Sequence, residues 1–198
     1  MGEDARDAIP ALIHALQNEP SGGVRQSMVF ALGDIGKNTK NTKNITFALI
    51  QSLQNDPHED VRSSAASSLS WMEEDAKDVV PALIQVLEND QDGEVRDSAV
   101  HSLGNMGKNA KDAVPALTQV LQNDQYPSVR ANAAGALKEI GTLEATKAAE
   151  SAVPALIQAL QSEYRVVRAN AAGTLKAIGT PEALKALKGY SVERWKSK

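Results

Sequence analysis

Five arginines, each preceded by Val, recur at Arg25, Arg62, Arg96, Arg130 and Arg168, spaced 37, 34, 34 and 38 residues apart. A guanidinium presents a planar fork that takes a carboxylate or phosphate through two parallel N–H donors, so such a series can bind anions or tie structure together. Their companions decide between these. An acid lies six residues before four of them (Glu19, Asp56, Asp90, Asp124), and Glu163 lies five before Arg168. Arginines kept free for an anionic ligand have no need of a matching acid in each copy. The pattern predicts a structural ladder between neighbouring units, with each guanidinium bridging carboxylates and loop carbonyls.

Other chemistry finds little to work with. His14, His58 and His101 are scattered, Cys is absent, and no Walker loop, Gly-x-Gly-x-x-Gly, Gly-x-Ser-x-Gly or His-Glu-x-x-His occurs. The reading is no catalytic residue, no metal site and no cofactor. A net charge of −4 provides no field for a phosphate backbone, so nucleic acid is not an expected partner. The charged start MGEDARDAIP and the lack of a long apolar run point away from a leader or a membrane span, and with the lack of Cys suggest the cytoplasm. The Asn44-Ile45-Thr46 sequon carries no weight without a secretory signal.

The elements that position the arginines follow from a second landmark. Pro10, Phe47, Pro81, Pro115 and Pro154 precede them by 15, 15, 15, 15 and 14 residues. Each unit reads as two helices. Asp7, Asn44, Asp78, Asp112 and Ser151, three residues before each marker, are the expected N-caps, with the proline in the first turn. Val80, Leu83, Ile84 and Leu87 keep the spacing of one buried face. The second helix starts near Val-Arg, buries residues such as Val95, Ala99, Ser102, Leu103 and Met106, and ends at a left-handed glycine, expected at Gly36, Gly107, Gly141 and Gly179. The spacing of 37 reflects a duplicated Lys-Asn-Thr triplet. That of 38 combines a longer connection, TLEATKAAE, with a linker one residue shorter. A single helix pair cannot bury its apolar face, so the units must stack into one solenoid domain spanning 1–198: units 5–36, 37–72, 73–107, 108–141 and 142–179, and a cap over 180–198.

The pattern Ala-Val-Pro-Ala-Leu-Ile-x-x-Leu, an acidic linker, then Val-Arg-x-x-Ala-Ala-x-x-Leu-x-x-Ile-Gly resembles HEAT-like repeats of the short kind named after phycobilisome (bilin) lyases, from Ala5 to Gly179. Tetratricopeptide and ankyrin signatures are missing. The resemblance implies an all-α, right-handed α-solenoid of five HEAT-like helix pairs plus a C-terminal capping helix. Such repeats occur in bilin lyase subunits, in phycobilisome-degradation factors and in many proteins that only hold other proteins. Related repeats in deoxyhypusine hydroxylase carry several His-Glu pairs for a di-iron site, whereas His58-Glu59 is the one His-Glu here.

In HEAT-like solenoids the second helices line the concave side. Counted from each arginine, positions +2, +5 and +9 form a stripe apart from the core. Phe30, Trp71 and His101 interrupt an otherwise small or polar set that includes Asp34, Ser67, Asn105 and Glu139. Large amphipathic side chains there are candidate partner anchors. The alternative is that Phe30 or Trp71 fills a neighbouring core short of volume. Aromatics are only 4% of the chain; Tyr190 and Trp195 fall on the cap, whose helix is expected to end at Gly189, and are expected to cover the end of the stack. The function read from this is a non-enzymatic scaffold holding a protein, for which the resemblance offers a phycobiliprotein, along a groove roughly 40–50 Å long, acting as a monomer or weak end-to-end dimer. The competing readings are a bilin lyase or isomerase subunit, or phycobilisome-associated factor, handling a tetrapyrrole, and a module of a longer chain.

Overall fold

Linkers of a few residues force each second helix back along the first, and this sets the architecture of the computed structural model. It describes residues 8–39 and 42–196, with backbone alone for Val166 and 191–196. The pairs are α1 (Ile9–Asn18) with α2 (Gly22–Lys37), α3 (Lys43–Asn55) with α4 (Glu59–Leu69), α5 (Ala76–Asn89) with α6 (Gly93–Asn105), and α7 (Val114–Asn123) with α8 (Pro127–Ile140). After an extra helix, α9 (Leu143–Ser151), come α10 (Val153–Ala159) with α11 (Arg165–Ile178), and then α12 (Pro181–Lys196). No strand occurs among the described residues. The fold is an all-α, HEAT-like solenoid.

One apolar seam runs the length of the stack. Leu32, Leu49, Leu69, Leu83, Leu103, Leu117, Leu137 and Leu175 are fully buried, one or two from each repeat. Between them lie small residues on the second helices, among them Ala65, Ala99, Ala133 and Ala171, all inaccessible to solvent. Second helices of adjacent repeats therefore approach far more closely than first helices do. Gly33 marks one such approach: a Cβ there would stand 2.6 Å from Ser68 Oγ and 2.8 Å from Ser68 Cβ. Hydroxyls reinforce the contact. Ser102 Oγ donates to the Ala66 carbonyl at 2.8 Å and Thr174 Oγ1 to the Ala131 carbonyl at 3.0 Å, each one repeat back.

The arginines and acids form the second tie. Arg25 grips Asp56 through Nε and Nη2 at 2.7 and 2.8 Å, Arg62 grips Asp90 at 2.7 and 3.1 Å, and Arg96 grips Asp124 at 2.7 and 3.1 Å. Each arginine thus reaches forward to the carboxylate of the next repeat. Its Nη1 meanwhile donates to the carbonyls six and five residues back in its own linker, Glu19 and Pro20 for Arg25, Asp56 and Pro57 for Arg62, Asp90 and Gln91 for Arg96. Hydrogen bonding to the aspartates holds all three guanidinium pKa values above the ordinary one, against the cost of desolvation. Burial pushes the Asp56 carboxyl up, but the Arg25 fork and the His58 amide together hold it below the usual carboxylate value. A carboxylate in every repeat, Glu163 included, was the expectation for this ladder; it stops after three rungs. Glu163 gives Arg168 its main-chain carbonyl at 2.7 Å, and Arg130 makes no ion pair among the described residues.

Helix ends depart from expectation for a common reason. Asn44 and Asp78 lie inside α3 and α5, Asp112 lies in a 3₁₀ turn (Gly107–Ala113) ahead of α7, and Ser151 ends α9; Asp7 lies outside the described residues. α3 and α5 begin two and three residues early, while α7 follows a 3₁₀ segment and α10 follows α9, so main-chain carbonyls accept the first amides, as in Thr46 N to Thr42 O at 2.8 Å. Side-chain caps occur instead at Asp92, which accepts from the Glu94 and Val95 amides, and at Thr142, which accepts from Ala145. Gly107, Gly141 and Gly179 are left-handed, with φ of 53°, 67° and 71°. Gly36 is not: α2 continues through it, and Met72 packs where a Cβ would stand. The connection TLEATKAAE, read as a loop, forms α9, which buries Ala145 and Ala149. Gly189 does not end the cap helix, because α12 runs on to Lys196 with Ala183 buried and Tyr190 packed against the core. The side chain of Trp195 lies outside the described residues.

Candidate functional site

Because the second helices crowd together and the first helices spread, the side formed by α2, α4, α6, α8 and α11 is the inner side of the stack. Phe30 and Asp34 on α2, Ser67 on α4, Trp71 in the turn after it, His101 and Asn105 on α6, and Glu139 on α8 are all exposed. Phe30 is 51% and Trp71 53% accessible, so neither fills a neighbouring core. Phe47, the remaining phenylalanine, is 63% accessible on α3, where a proline heads most other first helices.

The stripe is narrower than its spacing implied. Three of the +2 residues, Ser64, Ser98 and Asn132, join the repeats: Gln26 Nε2 donates to Ser64 Oγ at 3.0 Å, Ser63 and Ser98 share a hydroxyl hydrogen bond of 2.8 Å, and Asn132 Nδ2 donates to Asp97 Oδ1 at 2.7 Å. Ser64 is buried in consequence. What faces outward is the +5 and +9 set.

Two neighbours that sequence reasoning missed give this face its electrostatics. Lys37 Nζ lies 3.9 Å from the centre of the Trp71 ring, a cation–π contact made from the preceding repeat. Asp97 Oδ2 stands 3.5 Å from His101 Nε2, one turn back on the same helix. The Asp97 hydrogen bond raises the His101 pKa above its ordinary value, against partial desolvation, with the charges of Asp97 and Glu139 adding to the rise. The i, i+4 rule marks the Asp97–His101 pair in the sequence. No simple spacing rule marks Lys37 and Trp71, which meet only once two repeats are stacked.

No group of three or more His, Asp or Glu side chains able to hold a metal occurs among the described residues. His58 is in a linker, with its ring over Gly22 of the preceding repeat, where a Cβ would stand 2.8 Å from it; Tyr126 covers Gly93 in the same manner, at 2.6 Å. These linker rings are packing devices. No helix among the described residues is long and apolar enough to cross a membrane.

Comparison with known proteins agrees with the architecture. A chain from the complex of CpcE and CpcF of phycocyanin lyase from Nostoc sp. superposes with a TM-score of 0.62 at 19% identity, covering 85% of this chain and 98% of that one. A chain from a structure of microtubule plus-end tracking by XMAP215, CLIP-170 and EB1 superposes with a TM-score of 0.52 at 14% identity, covering 98% and 90%. Both likenesses are of fold. No match is found among curated proteins. The sequence profile of HEAT repeats matches residues 9–104, 80–150 and 114–195, and the chain belongs to the HEAT-repeat family.

Proposed function

We propose that the chain is a non-enzymatic scaffold that holds a protein partner along the inner face of its stack. One observation carries this reading: Phe30, Trp71 and His101 stand exposed on successive repeats of a wall otherwise made of small or polar side chains. Isolated rings of this kind, rimmed by Asp34, Ser67, Asn105 and Glu139, have the composition of interface anchors with a polar surround. The Lys37 contact favours one orientation of the Trp71 ring before any partner arrives, which lowers the entropy lost on docking. The test compares capture from cell extract by the wild type, by Phe30→Ala/Trp71→Ala, and by Phe47→Ala as an exposed-ring control on the other side. Loss of the same partner with the double variant, and not with Phe47→Ala, is expected. Equal recovery by all three would sink the reading.

A phycobiliprotein is the named partner that the likeness to a phycocyanin lyase complex favours. Under that narrower reading the aromatic residues of the inner face meet the pigment-bearing protein. Mixing the chain with a phycobiliprotein, with and without its bilin, and following co-elution and visible absorbance separates the two: a plain scaffold co-elutes without a spectral change, whereas a pigment handler shifts the spectrum.

A further inference from the structure

The fourth joint departs from the first three at a single position. In repeats two to four one acid satisfies two counts: nine residues after the marker and six before the arginine, as in Asp56, Asp90 and Asp124. The linker of repeat five is one residue shorter, so the counts separate. Nine after Pro154 falls on Glu163; six before Arg168 falls on Ser162. The structure follows the second count. Ser162 Oγ accepts from the Tyr164 amide at 3.2 Å, as the Asp56, Asp90 and Asp124 carboxylates accept from His58, Asp92 and Tyr126 at 2.8 to 2.9 Å. The Ser162 carbonyl accepts from Arg168 at 2.7 Å, as theirs do from their own arginines. The turn survives, but the hydroxyl cannot replace a two-oxygen acceptor.

Arg130 shows the result. Among the described residues its one hydrogen bond runs from Nη1 to the Asp124 carbonyl at 2.6 Å, leaving unmatched the Nε and Nη2 edge that takes a carboxylate at each earlier joint. Arg130 and Ser162 line a cavity of about 270 Å³ whose other walls include Leu121, Ala131, Leu156 and Val167. At the first joint the corresponding groove also has apolar walls, Leu16, Ala48 and Pro57 beside Gln51 and Asn55, but there the arginine, Arg25, is already taken by Asp56. What sets the fourth joint apart is the open edge of its arginine, facing a cavity whose lining is mostly apolar, with Gln158 and Ser162 as the other polar residues.

We infer that this cavity binds a small carboxylic acid with a short apolar chain, its carboxylate taken by Arg130 as the aspartates are taken by Arg25, Arg62 and Arg96, and its chain lying against Leu121 and Leu156. The apolar wall selects a hydrocarbon-bearing carboxylate over sulfate or phosphate, which would give up more hydration for the same guanidinium fork and gain nothing from the apolar side chains. The site lies off the inner-face stripe, so it stands or falls independently of the scaffold reading.

The test uses the full chain titrated with hexanoate, hexanamide, sulfate and a short peptide ending in a free leucine carboxylate, read by the side-chain Nε–H resonances of the arginines. Hexanoate is expected to move the Arg130 signal with a Kd on the order of 1 mM, the range open to so few heavy atoms. Hexanamide and sulfate should leave it in place. Ser162→Asp supplies the missing carboxylate from within; it should abolish hexanoate binding and raise Tm by a few degrees. Glu163→Gln should leave binding unchanged. Hexanoate binding retained in Ser162→Asp, an equal response to hexanamide or sulfate, or a response to the peptide alone would overturn the inference. If Ser162→Asp does not fold, Arg130→Gln, with its helical content verified, must lose hexanoate binding for the proposal to hold.

Discussion

Asp124 has a side chain only 4% accessible and accepts two hydrogen bonds from an Arg96 that is nearly as buried, so removing either partner strands a charge. Asp124→Ala should cost about 3–5 kcal/mol of unfolding free energy, measured by urea titration, whereas removing an exposed acid such as Glu88 should cost about 0.5 kcal/mol at most. The acid limb follows from Asp56. Its folded pKa lies below the ordinary 3.8, so its stabilisation is complete above that value and is lost as pH falls through the folded one. Asp56→Asn should therefore flatten the decline in stability below about pH 4. His101 behaves oppositely. Its raised pKa means that its stabilisation is complete below the ordinary 6.5 and disappears as pH rises through the folded value. In an NMR titration Asp97→Asn should bring His101 back toward 6.5, and Glu139→Gln should do so by less. At this scale the sequence revealed the arginines, the acids and the exposed rings, since each repeats at a fixed count. It concealed which carboxylate each arginine takes, because Asp56 and Arg62 are close in sequence while the partner of Arg25 is 31 residues away.

Helix packing rests on the absence of a single carbon at Gly33. Alanine there should destabilise by about 1–3 kcal/mol, because Ser68 is short and cannot swing clear, and this exceeds the helix-propensity gain of about 0.5–1 kcal/mol. Gly33→Ala combined with Ser68→Gly should recover part of the loss, and a double-mutant cycle by thermal melting measures the coupling. The paired helices themselves were legible from apolar spacing, while their ends were less so. A side chain three residues before a proline marks a cap only where the helix starts there, and first helices that start early or follow a 3₁₀ turn satisfy their amides from the main chain. The helix Leu143–Ser151 escaped because its sequence has few large apolar residues, though its buried face is alanine.

Stability in a linear stack is a sum over units and joints, so the joint with the fewest ties opens first. Three joints carry a bidentate rung and the fourth carries none among the described residues. Hydrogen exchange should show α10, α11 and α12 opening at lower free energy than α3 to α6, and Ser162→Asp should narrow the gap. Equal protection on both sides of the fourth joint would count against the rungs as the source of cohesion. The five-fold repetition made the solenoid legible from one chain. The break after the fourth repeat was not, because reading it requires knowing which of two counts the backbone obeys.

Each rung also has a direction: an arginine reaches forward, never back, and every interior repeat from the second to the third offers one acid behind and one arginine ahead. The stack is in this respect a chain of identical couplings. A copy of residues 73–106 placed after the original would present Asp90 to the Arg96 before it and its own Arg96 to Asp124, so the rungs would continue, while the hydroxyl and amide ties that differ from joint to joint would have to be matched anew. As far as the rungs are concerned, the molecule extends in steps of 34 residues, while a single residue lost from a linker rewires one joint and leaves the other rungs as they were.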